Sequence, residues 1–290
     1  MGNTQLWVGV ESGLFEKHGL AADVRSIGNS SATTAALISG QAQIIQVGGP
    51  DAISAKAAGA DVVVVAVNIP VYSYILETPP ELKTVNDIKG KKIAVDSFGS
   101  PPDIAVRVAL EKAGIDPERD VSIVAVGDVP TRSAALLSGA VQGTMLNPPY
   151  TIEVEAKGYH PLIDLAALKL PNANAASIVQ RSYLATHREV VQTYIDTLIE
   201  ANNRVRHDKP FTMQVMSKYL KISDSRALEV TYDYYIGEVY APAPAPKAEQ
   251  FQDAVHQLGR QNKALAGFDV TTILDPTLVE DAVKRGLVQN

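Results

Sequence analysis

The fold is decided by two similar stretches, GNSSATTAALISGQAQI at residues 28–44 and GDVPTRSAALLSGAVQG at residues 127–143. They are identical at seven of seventeen positions when offset by 99 residues, whereas average residue usage predicts about one identity by chance. Each copy has the pattern of a polar turn, a short helix, a Ser-Gly stop and the start of a strand. The repeat therefore predicts one equivalent α/β unit in each half of the chain.

Short β-rich runs alternate with helical stretches from Leu6 to about Leu165, which is typical of parallel α/β structure. The first helix should end at His18-Gly19. The run VVVVAV at residues 62–67 is far shorter than the roughly 20 residues of a membrane-spanning helix, so it indicates a buried strand. The predicted strands lie at residues 23–27, 44–47, 62–67, 92–95, 121–126 and 142–146.

Helical patterns dominate after Leu165, and the APAPAP tract at residues 241–246 separates two of them as an extended spacer. The breaker-rich stretches Pro79-Pro80 and 171–176 are the predicted crossings between lobes. We therefore expect two doubly wound α/β lobes with a two-strand hinge and a helical C-terminal cap on the first lobe. Residues 1–78 and 176–290 would form lobe I, and residues 79–175 would form lobe II. The predicted cap helices lie at residues 188–206, 211–220, 224–232 and 247–265.

Composition excludes several classes of protein. The 290 residues are 46% hydrophobic and 20% charged, which is typical of a globular chain rather than a disordered one. A formal charge of −6 without basic clusters argues against a nucleic-acid partner. The absence of cysteine excludes thiolate catalysis, disulfides and Cys-ligated zinc, and fits an oxidising compartment. No secretory signal is present in the sequence, which begins MGNTQLW.

No motif for catalysis, metal binding or cofactor binding is found. The five histidines include no pair at the spacing that would place two imidazoles on one face of a helix or strand. There is no nucleophile elbow, phosphate loop or dinucleotide fingerprint. Asp51, Asp96 and Asp103 lie near predicted strand ends, where capping of helices is their simplest role. We therefore expect no catalytic residues, no metal site and no cofactor.

Six polar turns lie at predicted strand-to-helix junctions, three in each lobe. In parallel sheets that edge faces the ligand crevice, and helix N-termini offer free N–H groups to a polar ligand. Aromatic rings nearby would cover an apolar portion of the ligand. The predicted ligand-binding residues are Asn3, Thr4, Gln5, Asn29, Ser30, Ser31, Gly49, Pro50, Asp51, Tyr72, Ser97, Phe98, Ser100, Pro101, Arg132, Asn147, Pro148 and Tyr150.

Arg132 is the single formal cation at these six junctions, and Thr33 occupies the equivalent position of the first repeat. A guanidinium at this position would pair with a ligand anion. The alternative is an exposed arginine without a role in binding. Trp7 and Phe15 are more simply explained as core residues of the first helix.

Four segments carry a family resemblance: LWVGVESGLFEKHGLAADV, SGQAQI, DIKGKKIAVDSFGSPPDIAVRVALEKAGID and LNPPYTIEVEAKGY. In this order they resemble the nitrate, sulfonate and taurine class of ABC-transporter substrate-binding proteins, within the superfamily that includes thiamine-pyrimidine binders. The resemblance implies the type II periplasmic binding fold and a periplasmic or lipid-anchored monomer. Such a protein would capture a small anion or a pyrimidine-like ligand by lobe closure and deliver it to a membrane permease.

The sequence departs from that family at its beginning, because the family opens with a strand and this chain starts in the loop that follows it. Two alternatives to transport stay open. One is an enzyme of the same fold that acts on a pyrimidine or thiamine precursor, although the fungal enzymes of this type carry a cysteine-rich motif that is absent here. The other is a ligand-sensing module, for which neither terminus supplies a DNA-binding helix pair.

Overall fold

The computed structural model describes residues 2–27 and 29–289 and contains two sheets flanked by helices. The strands are β1 (Ile44–Val47), β2 (Val62–Val71), β3 (Ile75–Thr78), β4 (Lys92–Val95), β5 (Ser122–Ala125), β6 (Gly143–Leu146), β7 (His160–Asp164) and β8 (Pro171–Gln180). The helices of the first 160 residues are α1 (Thr4–Glu11), α2 (Leu14–Lys17), α3 (Ser30–Ile38), α4 (Gly49–Ala57), α5 (Pro101–Lys112), α6 (Val129–Leu137) and α7 (Tyr150–Glu155). The later helices are α8 (Arg181–Thr186), α9 (Arg188–His207), α10 (Lys209–Leu220), α11 (Ser225–Tyr234), α12 (Gln252–Gln261) and α13 (Thr277–Lys284).

The first sheet has the order β1-β8-β2, and the second has the order β5-β4-β6-β3-β7. β8 pairs antiparallel with both of its neighbours. In the second sheet β4 is parallel to β5 and β6, whereas β3 is antiparallel to β6 and β7. Helix α3 packs on β1 and α6 packs on β6, so the two repeat helices lie on different sheets.

The first sheet is covered on both faces, which explains the unbroken valine run of β2. Val62, Val64 and Val67 face a core that continues under the second sheet. Val63 and Val65 face the other side, where they pack with residues of α9 and α13. Strands buried on both faces lose the alternation of polar and apolar residues. The predicted α/β fold class, with C-terminal helices on the first sheet, is confirmed.

The chain crosses between the sheets at residues 72–74 and 165–170, earlier than the expected stretches Pro79-Pro80 and 171–176. The two crossings are held together: the Tyr72 N–H donates to the Leu170 carbonyl at 3.3 Å, and the Leu165 N–H donates to the Tyr74 carbonyl at 3.0 Å. The expectation failed because prolines 79 and 80 follow β3, a strand that the sequence analysis did not predict.

The strand predicted at residues 23–27 is absent. None of the described strands pairs with this segment. Val24 and Ile27 are exposed there. Gly28, which begins the first repeat copy, lies outside the described residues. No helix in the described part of the chain is long and apolar enough to cross a membrane.

Candidate ligand-binding cleft

The N-termini of four helices meet between the two sheets. Helices α3 and α4 belong to the first sheet and α5 and α6 to the second, and α4 packs directly against α5. The closest approach is between Gly48, which precedes α4, and the ring of Pro101, the first residue of α5. Backbone N–H groups at helix N-termini are unpaired within the helix and favour anionic groups. The arrangement therefore provides a polar cleft with walls from both sheets.

Arg132 lies in the first turn of α6, is 2% exposed, and has no hydrogen bond or ion pair from its side chain within the described structure. Its Nε and Nη1 atoms are both buried and unpartnered. Burial lowers the pKa of Arg132, while Tyr74, Asp96 and Asp128 oppose that shift. A guanidinium stays charged in proteins, and a buried charge without a partner is costly. No side chain in the described part of the chain supplies the anionic partner that such a charge favours.

A second buried arginine, on helix α5 of the second sheet, has carboxylate partners. Arg107 on α5 is 5% exposed, and its Nε donates to Asp103 Oδ1 at 2.9 Å. Its Nη1 donates to Glu118. Asp103 in turn accepts from the Gly99 N–H at 2.8 Å and so fixes the turn before α5. Arg107 is therefore a structural residue. The chain supplies carboxylate partners to this buried arginine, whereas it supplies none among the described residues to Arg132.

Two carboxyl groups at the cleft have raised pKa values. Asp96 directly follows β4 and is half-buried; burial raises its pKa and Arg132 lowers it. Asp51, in the first turn of α4, has its pKa raised to about 7, chiefly by burial, although the Ser30 hydroxyl and the Gly48 N–H lower it. Asp51 Oδ2 accepts from that N–H at 3.0 Å, so the capping role expected for Asp51 is present.

Tyr74 and Tyr234 belong to the same region, and the sequence analysis missed both. Burial raises the pKa of Tyr74, and the charges of Arg132, Asp96 and Asp51 act on it as well, which places its hydroxyl among them. The Tyr234 hydroxyl is buried without a hydrogen-bond partner and lies near Tyr74. Two aromatic rings close to an unpaired guanidinium can cover an apolar part of a ligand.

The ligand-binding residues predicted on the first sheet differ in whether they already make hydrogen bonds within the chain. Asn29 caps α3 by accepting from the Ala32 N–H at 2.8 Å, while Ser31 is exposed. The Ser30 hydroxyl is buried beside Asp51 and makes no hydrogen bond of standard geometry. Gly49 and Pro50 form the first turn of α4. The structure therefore places Asn29, Ser30 and Asp51 together at the cleft wall.

Three other predicted residues are engaged in packing. Thr4 is 1% exposed and contacts Tyr240, and Gln5 Nε2 approaches Asn202 Oδ1 at 3.5 Å. Their neighbour Asn3 precedes α1 and makes no side-chain cap. The Tyr72 ring is fully buried, and its hydroxyl donates to Asp253 at 3.0 Å, which leaves no face of the ring open to a ligand.

On the second sheet, Ser97 and Ser100 form the turn that begins α5, where the Ser100 hydroxyl donates to the Ser97 carbonyl at 2.6 Å. The Phe98 ring is 61% exposed and lines an outer cavity of about 320 Å³ with residues of α4 and α12. Tyr150, at the start of α7, lies near Asp128, whose charge helps to raise the pKa of Tyr150. Asn147 and the buried Pro148 connect β6 to α7.

No three His, Asp or Glu side chains among residues 2–27 and 29–289 come together in a group that could hold a metal ion. The charged groups at the cleft are therefore arranged around Arg132.

Comparison with known proteins identifies the family of the chain and its fold. The model of the NMT1-like family matches residues 1–221, which is most of the chain. The chain belongs to the NMT1-like family. A "Putative binding protein" of Brucella abortus is 30% identical over 218 residues, covering 73% of this chain and 66% of that protein. The chain thus spans just under two thirds of the relative it matches. The predicted resemblance to substrate-binding proteins of the nitrate and sulfonate class is confirmed.

Solved structures share the fold at low sequence identity. The periplasmic aliphatic sulphonate binding protein SsuA of Escherichia coli superposes with a TM-score of 0.78 at 22% identity, covering 95% of this chain and 90% of that one. The desulfurization enzyme DszB superposes with a TM-score of 0.71 at 15% identity, covering 97% and 96%. The family's fold thus has the architecture of the periplasmic binding proteins and also supports an enzyme.

Proposed function

We propose that this protein captures a small organic or inorganic anion, or a pyrimidine-like ligand, between its two sheets and delivers it to the membrane permease of an ABC importer. The observation that carries the proposal is Arg132, a buried guanidinium without a partner at the convergence of four helix N-termini. Candidate ligands are sulfonates, taurine, aromatic carboxylates, nitrate-like anions and pyrimidines. The periplasm is the proposed location, as the printed name of SsuA suggests by analogy.

Closure on the ligand follows from the division of contacts between the sheets. The expected lobes were residues 1–78 with 176–290 and residues 79–175; because β3 lies in the second sheet and β8 in the first, the lobes that we propose meet instead at the crossings, residues 72–74 and 165–170. A ligand that touches only Ser30 binds open and closed states equally, whereas one that also meets Arg132 gains contacts only when the lobes close. The paired crossings at residues 72–74 and 165–170 are short enough to act as the hinge. Ligand binding would then stabilise the closed state.

A non-catalytic role is favoured over an enzyme of the same fold. In the described part of the chain, the ionisable groups near the cleft are Arg132, three aspartates and three tyrosines, namely Asp51, Asp96, Asp128, Tyr74, Tyr150 and Tyr234. No histidine or cysteine is present among them to act as a nucleophile or a proton carrier near neutral pH. Asp51 is the one group there whose pKa lies near 7, and its Oδ2 is engaged in capping.

The test is calorimetric titration with a panel of sulfonates, aromatic carboxylates, nitrate and pyrimidines, after a thermal-shift screen of the same panel. We expect saturable binding without chemical change of the ligand. Arg132→Ala should lose roughly 2 to 5 kcal/mol of affinity for the anion that binds. Arg119→Ala is the charge-matched control, because that side chain is exposed and pairs only with Asp116. Turnover of a ligand, or unchanged affinity in Arg132→Ala, would contradict the proposal.

A further inference from the structure

The charge balance around Arg132 is negative. Asp96 and Asp128 both act on the arginine, and Asp96 also acts on Asp51 across the cleft. Two carboxyl groups, Asp96 and Asp128, therefore act on the one cation, and Asp51 adds a third carboxyl group on the opposite wall. A ligand carrying only negative charge would gain from Arg132 but would also lie close to these carboxylates, and like charges repel strongly where water is excluded. The site thus has an excess of negative charge that a simple anion does not satisfy.

The three carboxyl groups differ in the hydrogen bonds that they already accept from the chain. Asp128 caps α6, accepting from the Thr131 N–H at 3.0 Å. Asp51 caps α4 through the Gly48 N–H. The half-buried Asp96 accepts no hydrogen bond from any described residue and forms no direct ion pair with Arg132. Asp96 and Arg132 therefore act on each other electrostatically without pairing, which leaves both groups available to a ligand.

We propose that the ligand is zwitterionic, with its anionic group held by Arg132 and a protonated nitrogen held by Asp96. This inference rests on the proposed function and narrows the class of ligand. Asp96 is the specificity-determining residue, because a carboxylate without another partner accepts a charge-assisted hydrogen bond from an ammonium group and rejects a second anion. Tyr74, beside both charges, would contact the short linker between the two ligand groups.

Proton exchange gives a readout that needs no variant. A protonated nitrogen next to Asp96 and Asp51 favours their ionised forms, so binding of a zwitterion near pH 7 should release protons. A simple anion next to the same carboxyl groups favours their protonated forms, so its binding should take up protons. Titrations in two buffers of different ionisation enthalpy measure the sign of this exchange.

The experiment compares matched pairs of probes that differ only by an amino group: taurine against ethanesulfonate, 3-aminopropanesulfonate against propanesulfonate, and β-alanine against propionate. Each pair is titrated into the wild-type chain, Asp96→Asn and the control Asp61→Asn, whose carboxylate pairs with Lys56 on the surface. We expect at least one amino compound to bind tenfold or more tightly than its partner, with proton release. Asp96→Asn should reduce that ratio to near one, while Asp61→Asn leaves it unchanged.

Each failure has a distinct meaning. Equal or tighter binding of the simple anions, or an amino preference that survives Asp96→Asn, overturns this inference; the proposed function stands if Arg132→Ala still abolishes that binding. Proton uptake on binding of the amino compound also overturns it. If no amino compound binds to the wild-type chain, the zwitterion inference fails, and the proposed function is then decided by the wider panel of sulfonates, aromatic carboxylates, nitrate and pyrimidines. Circular dichroism of Asp96→Asn separates a loss of specificity from a loss of folding.

Discussion

Gly48 lies so close to Pro101 that a Cβ atom at Gly48 would be 2.2 Å from the proline Cγ. The two residues begin α4 and α5 on different sheets, so their contact fixes how near the two walls of the cleft come. The backbone at Gly48 has φ −78° and ψ 160°, a conformation open to any residue. Glycine is therefore required here by the approach of the second sheet and not by the local backbone.

Gly48→Ala is expected to prevent full closure while leaving each part folded. The added methyl group would meet a rigid pyrrolidine ring, so the two helix N-termini must separate. Ligand affinity should fall about tenfold or more, since contacts made only on closure are lost, whereas the melting temperature without ligand should change little. Calorimetry and small-angle scattering of the ligand-bound protein measure the two effects.

The double variant Gly48→Ala with Pro101→Ala is the matched control. Removal of the proline ring makes room for the methyl group, so affinity should recover towards that of Pro101→Ala alone. Additive losses in the two variants would show that the contact does not limit closure.

Arg132→Met is predicted to improve stability and to abolish anion binding. The substitution replaces a buried, unpartnered guanidinium with an apolar side chain of similar length, so the free energy of unfolding should rise by about 1 to 3 kcal/mol in the absence of ligand. Denaturant unfolding measures this change. Arg107→Met should do the opposite, because it leaves buried Asp103 without its partner. A loss of stability in Arg132→Met would indicate a structural role that the contacts do not show.

Asn29→Ala and Ser31→Ala separate capping from ligand contact in the first repeat turn. Asn29 accepts the Ala32 N–H, so its replacement should cost about 1 kcal/mol of stability. Ser31 is exposed and caps nothing, so Ser31→Ala should leave stability unchanged. Thermal unfolding without ligand measures the contribution of capping. The additional shift with a bound ligand measures the contribution of ligand contact. An affinity loss in Ser31→Ala would then report a direct ligand contact.

Local signals in the sequence were sufficient for most of the fold. The repeat predicted α3 and α6, and periodicity predicted α9 to within one residue at its C-terminus. Strands β3, β7 and β8 were missed because the local sequence has no clear strand pattern there. These segments form strands because neighbouring strands pair with them. PNANAASIVQ, at residues 171–180, has the small polar residues of a loop, yet it is the central strand between β1 and β2. Such tertiary pairing overrides weak local propensity.

The cleft was predicted less completely. Arg132 could be singled out because it is the one cation at the six junctions. Tyr234 lies at the end of α11, more than 150 residues from Tyr74, and no spacing in the sequence links the two. Tyr74 could have been found if Ile75–Thr78 had been recognised as a strand, since the residue before it would then lie at the crossing. Whether the remaining predicted residues contact ligand stays a prediction.

Glu77 in the middle of β3 should make stability fall as the pH rises. Its side chain is 0% exposed, both carboxyl oxygens lack a hydrogen bond of standard geometry, and it faces Glu155 of α7 and Asp164 of β7. Burial is the main cause that raises the pKa of Glu77, and the two neighbouring carboxylates add to it. The folded protein therefore holds a proton that the unfolded chain, with a glutamate pKa of about 4.3, releases. Between the glutamate pKa of the unfolded chain and the raised pKa of Glu77 in the folded protein, the unfolded state binds fewer protons than the folded state. The free energy of unfolding therefore decreases as the pH rises through that interval.

Glu77→Gln removes this ionisation while keeping the shape of the side chain. At pH 8 the variant should be more stable than the wild type by at least about 1.4 kcal/mol, the equivalent of one pKa unit, and at pH 4 the advantage should vanish. Glu153→Gln on α7, the helix that carries Glu155, is the control, because the Glu153 carboxylate is exposed and its described ion pair is with Lys157. Urea unfolding between pH 4 and pH 9 measures the slope of stability for each protein. Parallel pH profiles of the wild type and Glu77→Gln would show that Glu77 is already ionised in the folded protein and would contradict the prediction.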